Sequence, residues 1–443
     1  MKTGPGSKGR RPPRHGRGGI KLAYCDIPGN VYEHPEAVPA FRSGRRFTRV
    51  NPKELIPLPH GSLLYTLPGR LPVFFDDRTG HFAHFDEGPD GTPALAAAAF
   101  LSSAYLRTAL PAFIKKEDAP VLPLWAYAGV VLRNGAFMVP AIRVDDDPRS
   151  DPALHENERL FAQKSRETTA LFPENRLVAQ LAKCSSEYRC LCARNFFLGR
   201  FEAPLPTSPA CNARCLGCLS HQDAGDTGFC GSQERLADPP SPDEIAETIL
   251  HHFGRVERAV ASFGQGCEGE PLLRAADLAQ AIQKVRAHDS RGTIALNTNG
   301  SLPGAAARLI DAGLDAIRVS MNSPTPEYYV RYYRPVNYTF GDVERTLEAA
   351  LGAGIFVSIN LFFLPGFTDM ETEVESLCAF LDRFPVNMIQ ARNLNMDPDY
   401  YLDSIGFVES PAMGVRAMLA LLREKYPRIR IGYYNPPKES WQG

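Results

Sequence analysis

The chain reads as an α/β protein, a partial (β/α)6 TIM-type barrel with an N-terminal α+β accessory domain. Three features carry that expectation. From about Glu202 onward, strand-like and helix-like segments alternate about six times, as parallel strands joined by crossover helices do. Polar motifs recur just after the strand ends, where the C-terminal rim of a barrel places its site. Upstream of Glu202 the pattern differs, and Asn134-Gly135 between two apolar runs is a hairpin signal. At roughly 150 residues per domain, 443 residues allow two or three domains. The expected boundaries are a basic tail at 1–20, the accessory domain at 21–175, a cysteine-containing connector at 176–200 and the barrel at 201–443.

Taken in order, residues 1–19 are dominated by Gly, Pro and basic side chains and bury too little apolar surface to order themselves, so a disordered tail is expected. In the accessory domain, Ser62 to Phe75 reads as strands broken by Pro68 and Pro72, Pro93 to Leu106 as a helix, and Leu124–Val131 with Ala136–Val144 as the hairpin. A polar stretch, Asp145 to Thr169, leads to a helix near Arg176–Ala182. The barrel strands are expected at Phe201–Pro206, Ala259–Phe263, Thr293–Leu296, Ala316–Ser320, Phe356–Phe362 and Asn387–Ala391. Ser241-Pro242-Asp243-Glu244 opens the first barrel helix. Ser241 can cap, Pro242 suits the first turn, and Glu244 can complete a capping box. Glu371–Arg383 places Val374, Leu377, Cys378 and Leu381 on one apolar face.

Composition excludes several classes. With 44% hydrophobic and 22% charged residues the chain can bury a large core, which removes a fibre, a wholly disordered chain and a disulfide miniprotein. The net charge of −1 conceals seven bases and no acid in residues 1–21. The remainder has 42 bases against 50 acids, a body of −8 that argues against a dedicated nucleic-acid binder. The longest apolar stretch, around Ala94–Leu106, is too short to span a bilayer, and the N-terminal bases lack a following apolar h-region. A cytoplasmic chain is expected, and among reducing thiols clustered cysteines point to metal or catalysis more than to disulfides.

Cys211-Asn212-Ala213-Arg214-Cys215-Leu216-Gly217-Cys218 has the spacing C-x3-C-x2-C directly after a strand. Three such thiolates can hold three irons of a [4Fe–4S] cluster and leave the fourth open, and an open position is what separates a catalytic metal site from a closed structural one. Here the chain resembles the radical S-adenosylmethionine superfamily. The resemblance runs from about Glu202 to Asp397. It implies that the open iron chelates the amino and carboxylate groups of S-adenosylmethionine, and that one electron then yields a 5′-deoxyadenosyl radical. The stretch Gly264-Gln265-Gly266-Cys267-Glu268-Gly269-Glu270-Pro271 resembles the family's Gly-Gly-Glu-Pro element, so Gly269 and Glu270 are expected to hold the ligand's ammonium. Asn297-Thr298-Asn299-Gly300 resembles the third-strand ending. Val319-Ser320-Met321-Asn322-Ser323 resembles the fourth, and Phe363 to Asp369 the fifth-strand turn beside the adenine. The resemblance thus assigns Asn299, Ser320 and Asn322 to the cofactor, with Gln390 and Arg392 facing adenine or substrate. Two departures stand out: Gly217 where many members have an aromatic residue, and Glu268 where the first glycine of Gly-Gly-Glu would be.

Of the other cysteines, Cys184, Cys190, Cys230 and Cys267 form a candidate auxiliary site for a second iron–sulfur cluster or another metal, with Cys192 as substitute; buried unrelated thiols are the plainer reading. Cys378 is expected in the core. His221, after Cys218, offers a Cys3His zinc set. Asp145-Asp146-Asp147 reads as a solvated turn, Tyr328, Tyr329, Tyr332 and Tyr333 as packing residues, and Arg331 with Arg334 as candidate carboxylate binders. The expected function is cleavage of S-adenosylmethionine and hydrogen abstraction, with a flavodoxin or ferredoxin-type reductant. A peptide or protein is the favoured substrate, a small metabolite the alternative, and a non-catalytic zinc/cysteine protein the reading from another class.

Overall fold

Residues 19–222 and 228–441 are described by the computed structural model. The expected tail lies outside them except at its end, where Ile20 already begins the strand Ile20–Cys25. Residues 20–143 form two antiparallel sheets, of eight and six strands. The hairpin is where the sequence places it: Val131–Arg133 pairs with Ala136–Arg143, and Asn134 and Gly135 both take positive φ (54° and 76°), as a two-residue primed turn requires. The first arm, expected at Leu124–Val131, instead occupies Val131–Arg133, directly before the turn.

The helix expected at Pro93–Leu106 is instead a strand, Leu95–Phe100, followed by the short strand Tyr105–Arg107. Leu95–Phe100 pairs with Leu63–Thr66 on one side and with the end of Ile20–Cys25 on the other. Its alanines alternate between two cores. Ala97 and Ala99 pack with Ala23, Cys25 and Ala128, while Ala96 and Ala98 pack with Leu67, Phe113 and Tyr127. A strand buried tightly on both faces needs small side chains and shows no polar alternation, so tertiary packing overrides the helix propensity of alanine. The helical content of the N-terminal region before the connector therefore falls on Glu158–Leu171.

Helices Arg176–Ser186 and Leu191–Leu198 share one core with the barrel through Leu177, Leu181, Phe196 and Phe197. Seven parallel strands follow in sequential order: Glu202–Leu205, Val260–Phe263, Thr293–Thr298, Ala316–Met321, Phe356–Phe363, Met388–Asn393 and Arg430–Gly432. The first and last do not pair, so the barrel is partial. The open side is tied by Asn435, whose amide donates to Glu202 Oε1 (2.7 Å). The helix Pro242–Arg255 carries the expected capping box of Ser241 and Glu244.

The N-terminal sheets pack on the barrel's rim through polar ties. Arg70 pairs with Asp397 (2.5 Å), Arg42 with Asp399 (2.8 Å), and Arg107 donates to the carbonyl of Leu394 (2.8 Å). Asp145, expected in a solvated turn, instead accepts the backbone N–H of Tyr433 and Tyr434 (2.8 and 3.1 Å). Among the described residues no helix is long and apolar enough to cross a membrane.

Candidate functional site

The loop after the first barrel strand is gripped from both sides. On one side Gly269 N donates to Ser208 O (2.6 Å) and Glu270 N to Ala210 O (2.8 Å). On the other, Arg214 N and Leu216 N donate to Tyr333 O and Tyr332 O (both 3.0 Å), and Val336 N to Asn212 O (2.8 Å). These bonds use the loop's backbone groups across the rim, which is why Cys211–Cys218 is not helical despite its helical spacing.

Cys211, Cys215 and Cys218 line one cavity of about 470 Å³ at the C-terminal ends of the strands. Burial pushes the Cys211 thiol up to about 11 and the Cys215 thiol well above its usual value, so thiolates here need a compensating positive charge such as iron. Arg235 Nη2 lies 3.5 Å from Cys218 Sγ and donates through Nε to Ser220 Oγ (3.2 Å). Among the described residues no three His, Cys, Asp or Glu side chains are grouped as ligands of a single ion. A cluster takes one thiolate at each of several iron corners, so its ligands need not meet at a point as those of a single zinc must.

Glu270 is buried in the same wall, beside the start of the cysteine loop. Oε1 accepts Thr298 Oγ1 (2.5 Å) and Leu272 N (3.0 Å), Oε2 accepts Asn299 N (2.8 Å), and burial raises the carboxyl to about 7. Gly269 is required by space: a Cβ there would stand 1.9 Å from Ala210 O, the residue before Cys211. Glu268, the departure from the glycine pattern, is a structural clamp. Its carboxylate accepts the N–H groups of Thr207, Ser208, Gly264 and Gln265 (2.7–2.9 Å) and the Thr207 hydroxyl (3.1 Å), joining the loops after the first two strands. At Gly217, the other departure, a Cβ would meet the Tyr332 hydroxyl at 2.9 Å. An aromatic side chain from the helix Pro326–Tyr333 thus fills the space beside the loop.

Of the expected cofactor residues, Gly269, Glu270, Asn299, Ser320 and Arg392 line the same cavity as the three cysteines. Asn322 does not. It lies just past the end of the strand Ala316–Met321, where strand alternation no longer holds it on the side of Ser320; it is fully buried, and its amide donates to Tyr328 O and Tyr401 OH (both 3.1 Å). Gln390 lies deeper, donating to Asn435 Oδ1 (2.8 Å) and accepting from Arg318. The fifth-strand turn packs away from the cavity: Gly366 (φ +86°) abuts Gly44, whose N–H donates to Pro365 O (2.7 Å).

The auxiliary cysteines divide. The Cys184 and Cys267 thiols face each other, and their interaction lowers Cys184 while, with burial, it pushes Cys267 far up. Cys190 stands beside them, its N–H donating to Cys184 O (3.1 Å). Cys230 is exposed, and Cys192 turns into the main cavity, 3.9 Å from Gln265 Oε1. Cys378 is buried, as expected. Tyr329, Tyr332 and Tyr333 are buried as expected for packing, although Tyr332 and Tyr333 also reach the cavity wall. Arg331 donates to Ile405 O (2.7 Å), and Arg334 lies away from this cavity.

Sequence reasoning missed Arg318, Asn360, Glu202, Arg235 and Tyr433, all lining the cavity. A signal existed for Arg318 and Asn360: Arg318 sits two residues before Ser320 on one strand, and Asn360 pairs with Ser320 on the next. The cavity's wall also holds buried polar atoms with no partner among the described residues, Asn297 Oδ1, Asn360 Oδ1, Tyr333 OH and the Nε of Arg318 and Arg392. Such atoms are costly unless a polar ligand meets them, so the residues present fit a polar cofactor beside the three thiols.

Residues 205–378 match the Radical SAM superfamily. The probable GTP 3′,8-cyclase of Methanococcus maripaludis (strain C5) is 30% identical over 179 residues, covering 40% of this chain and 53% of that protein. The FeMo cofactor biosynthesis protein NifB of Klebsiella pneumoniae is 27% identical over 179 residues, 37% of each chain. The chain thus spans about half or less of the length of these relatives. Among solved structures, anSMEcpe with bound AdoMet aligns at a TM-score of 0.34 and 18% identity, over 44% of this chain and 51% of that one.

Proposed function

We propose that this chain, a member of the radical SAM superfamily through residues 205–378, reductively cleaves S-adenosylmethionine and abstracts a hydrogen atom from a bound substrate. A [4Fe–4S] cluster and S-adenosylmethionine are the cofactors of the superfamily, and with one electron they supply a 5′-deoxyadenosyl radical. The observation that carries the reading is the meeting of Cys211, Cys215 and Cys218 with Gly269, Glu270, Asn299 and Ser320 on one cavity. The three thiols would ligate the cluster. The free lone pairs of Glu270 Oε2 and the Ser320 hydroxyl would orient the polar end of the cofactor, and the Gly269 backbone would let it approach closely. Phe100, Leu101 and Ala126 of the N-terminal sheets add an apolar wall that keeps water from the reacting atoms. An external reductant of the flavodoxin or ferredoxin type would deliver the electron.

The wall made by Phe100, Leu101 and Ala126 narrows what can enter, and this favours a compact molecule over the peptide or protein that the sequence suggested. We further propose that Cys184, Cys190 and Cys267 are the thiols available to an auxiliary cluster, without Cys230.

Anaerobic reconstitution with iron, sulfide, dithionite and S-adenosylmethionine tests the reading. 5′-Deoxyadenosine is expected from protein carrying about four or more irons per chain. Its absence at that iron content, or bound zinc without iron, overturns it. Iron retained by the Cys211→Ala/Cys215→Ala/Cys218→Ala variant supports the auxiliary site, and none removes it.

A further inference from the structure

The cavity wall holds two arginines that form no ion pair among the described residues. Arg318 lies on the fourth strand and Arg392 on the sixth, and both line the cavity. Arg318 donates to Gln390 Oε1, and its buried Nε has no partner. Arg392 stacks 3.6 Å over the Tyr433 ring and makes no hydrogen bond with any described residue, its Nε also being buried. The acid in the same wall, Glu202, has its Oε1 taken by Ser262 Oγ (2.6 Å) and Asn435 Nδ2 (2.7 Å). It forms no ion pair with either arginine among the described residues. Burial, and then the neighbouring Arg392 charge, bring Arg318 down to about 9.

Arg42, Arg70 and Arg107 also carry a buried Nε without a partner among the described residues, but none of them lines the cavity and each has a partner at another guanidinium nitrogen. Arg70 and Arg42 pair with Asp397 and Asp399, and Arg107 donates to two carbonyls. Three arginines and three glutamates line the cavity, but Glu268 and Glu270 are taken up by N–H and hydroxyl donors of the rim loops and Arg235 lies beside Cys218, so Glu202 is the acid that acts on Arg318, and the orphaned guanidinium atoms of Arg318 and Arg392 stay open to an anion. Planar guanidinium forks match carboxylate and phosphate oxygens in pairs. Arg318 precedes Ser320 by two strand residues, so it sits roughly 6.6 Å further from the rim than the side chain assigned to the cofactor.

We propose that Arg318 and Arg392 receive an oxyanion group of the substrate, a carboxylate or a phosphate, on the side of the cavity formed by the fourth and sixth strands. This rests on the function proposed above and names the substrate as a compact anion whose charged end lies between these two strands. A neutral or cationic substrate would leave the two guanidinium groups unanswered.

The test is thermal unfolding of the reconstituted holoenzyme, saturated with S-adenosylmethionine, against inorganic phosphate and, separately, succinate, with chloride at matched ionic strength. A saturable rise in midpoint of several degrees is expected with at least one anion and not with chloride, and the effective anion tells phosphate from carboxylate. The rise should vanish in Arg318→Gln and Arg392→Gln and persist in weakened form in Arg318→Lys. If Arg318→Gln does not fold, Arg392→Gln, whose wild-type side chain makes no hydrogen bond among the described residues and only stacks on Tyr433, carries the comparison. No rise beyond chloride in the wild type, or an equal rise in both glutamine variants, overturns the proposal. A rise seen only without S-adenosylmethionine also overturns it, because the arginines would then hold that molecule's own carboxylate. 5′-Deoxyadenosine formation by the wild type is scored separately, so failure of the underlying activity is distinguishable from failure of the anion site.

Discussion

Arg70 and Asp397, 327 positions apart, form an ion pair at 2.5 Å with neither side chain exposed to solvent. Arg70 belongs to the N-terminal sheets, and Asp397 caps the helix Pro398–Ser404 that follows the sixth barrel strand. The same carboxylate accepts Leu122 N (3.0 Å) through Oδ2 and Asp399 N (2.9 Å) through Oδ1. One buried acid thus joins the cavity's apolar wall to the barrel.

Removing one partner leaves the other charge buried. Arg70→Met is expected to destabilise the fold by about 3–5 kcal/mol, read as a lower urea midpoint. Arg70→Met with Asp397→Asn should recover part of that, because the amide carries no charge and still caps the helix. A double variant no better than the single one contradicts this account.

Gly269→Ala drives a Cβ into the carbonyl of Ala210, one residue before Cys211. The cysteine loop must move, and most of the iron is expected to be lost after reconstitution while the far-ultraviolet circular dichroism stays near wild type. Gly304→Ala, where nothing lies within 4 Å, is the control and should keep full iron.

Glu268→Gln places an amide nitrogen against backbone N–H donors whichever way it is turned. Charge-assisted bonds are lost and like donors face each other, at an expected cost of about 3 kcal/mol in chemical unfolding. A change within 0.5 kcal/mol would mean that the clamp holds little.

His252 is buried in the helix Pro242–Arg255, its Nε2 against Phe201 O (3.3 Å), and burial lowers it to about 4. The unfolded chain takes up this proton near pH 6.5 and the folded chain does not, so the contribution is fully present above 6.5. It is lost as the pH falls toward 4, by up to about 3 kcal/mol. Urea midpoints at pH 7.5 and 5 should converge in His252→Phe relative to wild type, and an unchanged slope would rule His252 out as the source.

Much of the site could be read locally, because its cues lie in short spacings. The C-x3-C-x2-C loop, the Gly269-Glu270 pair after the second strand, and Asn299 and Ser320 at the next two strand ends all depend on residues a few positions from a strand terminus, and all reach the one cavity. The alternation of strands and helices was legible for the same reason, since burial on both faces of a parallel strand writes a continuous apolar run. Ten cysteines in the composition pointed to metal, and their spacing separated three of them from the rest.

What the tertiary structure decided depends on elements far apart in the chain. Leu95–Phe100 is a strand because two separate cores press on its alternating alanines, which no local propensity reports. Asn322 faces Tyr328 and Tyr401 and away from the cavity because the strand ends at Met321, and the contacts of the following turn, not the alternation that turns Ser320 inward, set its direction. Cys184 and Cys267 meet, while Cys192 turns into the cavity, only once the connector helices dock on the barrel. The Arg318 and Arg392 pair arises the same way. Each is an ordinary arginine in the sequence, and curling the sheet brings them into one walled space where Glu202 is the acid that acts on Arg318. Sequence spacing determines which chemistry the rim can hold, and which polar atoms inside the barrel stay open to a ligand is set by the distant side chains that the closed fold leaves without a partner.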